Sequence, residues 1–142
     1  MSRCLVAYGN ELRGDDGAAW ELARRLSGWT VHCVTQLLPE LADQLQAEEE
    51  VVFVDACQGG VEVRCQRLTP QDVPGWPVHC GQPAQLLALC RQLYGRAPRA
   101  FVLTLPGQDF GYRMGLSALA QESVRQGLQR LGQADQGSPI VN

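Results

Sequence analysis

Three stretches of this sequence hold residue types that could do chemistry. The first is Gly9-Asn10-Glu11-Leu12-Arg13-Gly14-Asp15-Asp16-Gly17, directly after an apolar run. The second is Val52-Phe53-Val54-Asp55, an apolar run closed by a carboxylate. The third is His79-Cys80 in a stretch rich in proline and glycine. Taken alone, the first is a tight turn with a helix cap, since Asp and Asn commonly hold the first amides of a helix. Two adjacent carboxylates cannot both cap one helix, so either Asp15 or Asp16 is spare. Asp55 reads alone as an Asx turn or a partner for backbone amides. A carboxylate at the end of a buried strand is nonetheless costly unless it is solvated, paired or bound to a cation. Asp16, Asp55 and His79 together would offer two oxygens and one imidazole nitrogen. That donor set suits a borderline divalent ion such as nickel or zinc, with positions left open. The intervals of 39 and 24 residues are not a local motif.

Other chemistries are disfavoured or absent. All 12 basic residues are arginine, which removes Schiff-base chemistry, a lysine base and the P-loop lysine. The glycine-rich loop is not GxGxxG, and there is no HExxH or GxSxG. Cys80 beside His79 ranks low as a thiol nucleophile, because adjacent loop residues usually point apart. His32, inside a strand-like run, reads as a partly buried histidine with its hydrogen bonds satisfied. Ser117 reads as the cap of a last helix.

The elements that must position these residues follow from periodicity. Cys4 to Tyr8 is a short apolar strand ahead of Gly9. A helix face runs from Asp16 to Leu26 through Ala19, Leu22, Ala23 and Leu26, and Gly28 lies past its end. Thr30 to Thr35 is a second strand. Pro39 opens a short helix containing Leu41, Ala42 and Leu45. Glu48-Glu49-Glu50 is expected to be a solvated turn. Val51 to Val54 is a third strand, apolar throughout, as in a sheet covered on both faces. Val61 to Leu68 alternates and is a strand with one wet face. The gap before it is too short for a parallel crossover, so this strand should run antiparallel to the third, near an edge. Pro83 opens a helix to Tyr94, Ala100 to Leu105 is a fifth strand, and a final helix runs from Ser117 to Leu131. Strands one, three and five should be parallel and central, with one and three adjacent, so that Asp16 and Asp55 approach each other. In such sheets ligands bind outside the carboxyl ends of the strands.

Composition bounds the rest. The 142 residues carry 45% hydrophobic and 19% charged side chains and a formal net charge of −3. One domain spanning 1–142 is expected, with 132–142 a frayed tail. The charge balance disfavours a nucleic-acid or anionic-membrane binder. The three tryptophans form no base-stacking stripe. No run is long enough to span a membrane. The six scattered cysteines read as reduced core thiols, and the expected compartment is the cytoplasm.

These motifs, in this order, resemble those of the [NiFe]-hydrogenase maturation proteases from about residue 4 to 131. Residues 9–17 resemble the family's G-N-x-L-x-x-D-[DE]-x opening, and Val52 to Ala56 its strand ending in a ligand aspartate. His79-Cys80-Gly81-Gln82-Pro83 with the leucines that follow resembles its ligand histidine and leucine-rich helix. Gly115-Leu116-Ser117 resembles its last helix start. The resemblance implies a three-layer α/β sandwich: a mostly parallel five-stranded twisted sheet, one antiparallel strand, and helices on both faces. It implies an aspartyl-type endopeptidase that removes the C-terminal extension of a nickel-loaded hydrogenase large-subunit precursor. Asp16, Asp55 and His79 would be the catalytic and metal-contacting residues, and the nickel would arrive with the precursor rather than reside in the protein. Asp15 or Asp16 could also act as a general base. Many members have Glu where Asp16 stands. Gln36-Leu37-Leu38-Pro39-Glu40 resembles a variant found in a subgroup tied to soluble, cofactor-linked hydrogenases, which leaves the roles of Gln36 and Glu40 open. Three alternatives remain: a nickel- or precursor-binding scaffold that does not cut, a small nucleotide-binding α/β module, and a hydrolase with a permanently bound zinc.

Overall fold

A computed structural model of the chain describes residues 2–70 and 82–132. Five strands form one sheet: β1 (Arg3–Tyr8), β2 (Thr30–Val34), β3 (Glu50–Gln58), β4 (Arg64–Leu68) and β5 (Arg99–Gly107). The order across the sheet is β2-β1-β3-β5-β4. The first four in that order run parallel, and β4 pairs antiparallel with β5 at the edge. The helices are α1 (Ala18–Arg25), α2 (Leu41–Leu45), α3 (Pro83–Tyr94) and α4 (Ala118–Gly132).

Alternation along the strands explains the layers. Leu5, Ala7, Val52, Val54, Phe101, Leu103 and Leu105 point to one face and pack with α1 and α4. Cys4, Val6, Val51, Phe53 and Ala100 point to the other and pack with α2 and α3. Both faces of β1 and β3 are therefore apolar, the mark of strands sealed between two helical layers. The result is the three-layer sandwich that the resemblance implies, with β1 beside β3 as the order of elements predicts.

Several local expectations are corrected. The helix expected from Asp16 begins as a 3-10 turn over Gly14–Gly17 and becomes α1 only at Ala18, whose start has no side-chain cap. Glu50 is not in a solvated turn. It opens β3, fully buried, and its Oε2 accepts from Arg99 Nε at 3.1 Å across the sheet. β4 runs opposite to β3, as the short gap requires, but it takes its hydrogen bonds from β5. Cys4, Cys65 and Cys90 are buried, whereas Cys33 and Cys57 are exposed, because the edge strand β2 and the end of β3 rise out of the core. No helix among the described residues is long and apolar enough to cross a membrane.

Candidate active site

The carboxyl edge of the sheet carries the candidate residues. Asp55 follows Phe53 in alternation, so its side chain leaves β3 on the α2/α3 face. Ala7 pairs with Val54 across β1 and β3, which puts Tyr8 beside Asp55. The Tyr8 hydroxyl donates to Asp55 Oδ2 at 3.2 Å. Burial pushes the Asp55 carboxyl up to about 6 from its ordinary 3.8, and the nearby charge of Asp16 adds to the rise. The Tyr8 bond and the Ala56 backbone amide pull the other way. Tyr8 itself is pushed up, first by burial and then by the Asp55 charge. Its hydroxyl therefore stays a neutral donor. Tyr8→Phe should lift the Asp55 midpoint above about 6 by removing the donor that favours the charged form. The carbon-13 shift of the Asp55 carboxyl followed against pH measures this.

Asp16 comes from the loop after β1. The backbone N–H of Asn10 donates to its Oδ2 at 2.8 Å. Gly9 makes this turn possible. A Cβ there would sit 2.1 Å from the Asp16 carbonyl oxygen, so only glycine lets the chain fold back so closely. The structure thus brings Asp16 and Asp55 within electrostatic reach, as their strand order requires. Each carboxylate retains acceptor capacity beyond the bonds described.

His79 lies outside the described residues, as do Cys80 and Trp76. It stands four positions ahead of Pro83, which opens α3 in the layer that Asp55 faces. Just beyond the end of α3, Arg96 donates to the carbonyls of Gln46 and Glu48, immediately ahead of β3. The helix therefore finishes at the amino edge of the sheet, and its first turn lies toward the carboxyl edge. Among the described residues no group of three His, Cys, Asp or Glu side chains is placed to hold a metal ion.

Asp15 has a different task. It is fully buried and directed at the residues after β5. Its Oδ2 accepts from the backbone N–H of Gln108 at 2.8 Å and of Asp109 at 3.0 Å. Its Oδ1 accepts from the Ser117 N–H at 2.8 Å, and Oδ2 also accepts from the Ser117 hydroxyl at 2.6 Å. Gly107 makes room, since a Cβ there would lie 2.8 Å from the Asp15 Cβ. Asp15 is therefore a clamp between the loop after β1 and the loop after β5. With both oxygens engaged by donors, it is not available as a general base. Ser117 also caps α4 as expected, its hydroxyl accepting from the Ala120 N–H at 3.2 Å. Ser117→Ala removes the cap and one clamp bond together. It should cost about 1–2 kcal/mol in chemical denaturation.

The geometry bears on the alternatives. The Asn10 amide, which a phosphate at this turn would use, is already taken by Asp16. Cys80, the thiol weighed as a nucleophile, lies outside the described residues, and the Cys4 thiol within β1 is pushed up to about 12, chiefly by burial.

No protein-family model and no curated protein sequence matches the chain. Solved structures do. The [NiFe] hydrogenase maturation protease HybD from Thermococcus kodakarensis superposes with a TM-score of 0.73, at 21% identity, covering 94% of this chain and 98% of that one. This chain has the hydrogenase maturation protease fold. The hydrogenase maturating endopeptidase HybD from E. coli gives a TM-score of 0.72 at 15% identity, covering 94% of this chain and 91% of that one. An uncharacterized protein from Wolinella succinogenes gives 0.67 at 26% identity, covering 95% and 97%. Coverage is near-complete in both directions, so the likeness is to the whole fold rather than to a part of it. Tyr8 is the residue at this edge that sequence reasoning missed. Its only signal was its place at the last position of β1, level with the end of β3.

Proposed function

We propose that this chain is an endopeptidase that removes the C-terminal extension of a nickel-loaded [NiFe]-hydrogenase large-subunit precursor, in the cytoplasm. The observation that supports the reading most is the meeting of Asp16 and Asp55 at the carboxyl edge of this fold, with Asp55 raised toward neutrality. Unlike environments for two neighbouring carboxylates suit a division of labour between them. Nickel belongs to the substrate. Asp16 and Asp55 offer oxygens and His79 an imidazole nitrogen to an ion that the precursor's own thiolates already hold. A site of this kind distinguishes loaded from empty precursor without extracting the metal. Contact with the ion sets the adjoining peptide bond against the protein, and positioning of this kind is a large part of catalysis. Tyr8 fixes the orientation of Asp55, as a hydrogen-bonded partner does for a metal-contacting carboxylate.

The test is direct. Incubating the purified chain with nickel-loaded precursor should shorten the large subunit, and nickel-free precursor should stay intact. His79→Ala should lose the activity while keeping the far-UV circular dichroism of the parent. A large subunit that keeps its full length with the parent chain overturns the reading in favour of a binding scaffold.

A further inference from the structure

β2 ends the sheet, and among the described residues nothing pairs with its outer edge. The parity of that edge is fixed by β1. The Gly9 N–H donates to Val34 O at 3.1 Å, so Thr30, His32 and Val34 turn their backbone groups toward β1. Val31 and Cys33 therefore aim theirs outward. Natural edge strands are usually guarded by charges, proline or a bulge. Thr30-Val31-His32-Cys33-Val34 has none of these. Beside this edge runs a groove of about 700 Å³, lined by Trp20, Val31, Cys33, Leu38 and Leu41 among others. Leu38 is 53% exposed within it. The Trp20 indole N–H donates to the same Val34 carbonyl at 3.1 Å, which holds the groove's wall upright. Val34 O is thus bonded to Gly9, and Gly9 lies against Asp16. The end of β2, which walls the groove, therefore adjoins the loop that carries Asp16.

We propose that the open edge of β2 and this groove receive the C-terminal segment of the substrate as an added strand, delivering it to Asp16 and Asp55. The inference rests on the proteolytic reading above and adds the mode by which the peptide is held. An extended chain fits because main-chain bonds to an edge strand supply affinity whatever the side chains, while a flanking groove selects among them. A second copy of the chain on this edge would close the route to the carboxylates, which favours the peptide as occupant.

Amide hydrogen exchange tests the pairing without any cleavage, using a synthetic peptide of the precursor's C-terminal segment. Added peptide should slow exchange at Val31 and Cys33 by about tenfold or more, leaving His32 and Val34, already bonded to β1, unchanged. Leu38→Arg should raise KM for the loaded precursor about tenfold with kcat unaltered, as expected for loss of one apolar contact. Protection of Val31 and Cys33 that grows with protein concentration before peptide is added would mean a second copy sits there and would overturn the proposal. So would protection in the peptide-free chain that vanishes when residues 133–142 are removed. If the parent chain cuts loaded precursor, yet the two amides stay unprotected and Leu38→Arg keeps a normal KM, this inference fails alone. If the parent chain does not cut, the proteolytic reading fails with it.

Discussion

Asp16→Asn and Asp55→Asn are each expected to lower the rate of precursor shortening by about a thousandfold or more, the scale typical of groups acting directly on a reaction. The asparagine variants are chosen because they keep the local bonds. The Asn10 amide can still donate to a carbonyl oxygen at position 16, and the Tyr8 hydroxyl to one at position 55. Loss of activity would therefore report the missing charge and not a broken turn. Asp55→Asn carries a second, opposite signature. The folded protein holds this carboxyl near 6 against an unfolded value near 3.8, so folding favours its proton. That contribution is fully present below about 3.8 and is lost as pH rises through about 6. At pH 7 the parent bears the whole cost of a half-buried charge, and the neutral asparagine does not. Asp55→Asn should then be more stable than the parent by about 1 kcal/mol at pH 7, after discounting for solvent screening, and no more stable at pH 3.5. Urea denaturation at the two pH values, beside the cleavage assay, checks both halves. A variant that is inactive and more stable marks a group kept for chemistry at the expense of stability. Equal stability at pH 7 would remove burial as the cause of the raised value.

The largest effect on folding is expected at Asp15. Asp15→Ala leaves three backbone N–H groups, those of Gln108, Asp109 and Ser117, without their acceptor. Each stranded buried donor costs about 1–3 kcal/mol, and water entering the vacated space recovers part of it. A net loss of about 3–5 kcal/mol is expected, a large share of the 5–15 kcal/mol that domains of this kind possess. Asp15→Asn should recover part of the loss, since its carbonyl can take the place of Oδ2 for Gln108 and Asp109 while its amide group then opposes the Ser117 N–H. Denaturant midpoints of the two variants measure the effect. A loss below about 1 kcal/mol would mean that the two loops hold together without the clamp. The contrast with Asp16 is the useful result: neighbouring aspartates, one essential to folding and the other to activity.

Sequence alone showed much of the frame. The apolar run at Cys4–Tyr8 read as a buried strand and that at Val51–Val54 as one covered on both faces, and the doubly wound order of elements set β1 beside β3. That adjacency was enough to bring Asp16 toward Asp55. What stayed hidden depends on partners remote along the chain. Asp15 reads as a helix cap because capping is local, whereas its acceptors' donors lie 93 to 102 positions away. Tyr8 reads as one more core aromatic until the residue level with it on β3 is known. Glu50 ends a run of three glutamates and reads as solvated, because the arginine that neutralises it belongs to β5. Likewise, pairing of β4 with β5 could not be told from a hairpin with β3 by loop length alone.

The clamp at Asp15 also sets an order of events during synthesis. Its donors at Gln108, Asp109 and Ser117 leave the ribosome long after the loop that carries Asp16. A nascent chain halted before them has the loop but none of the three amides that fasten it. The full set of bonds that hold the Asp16 loop in place thus forms only late in translation.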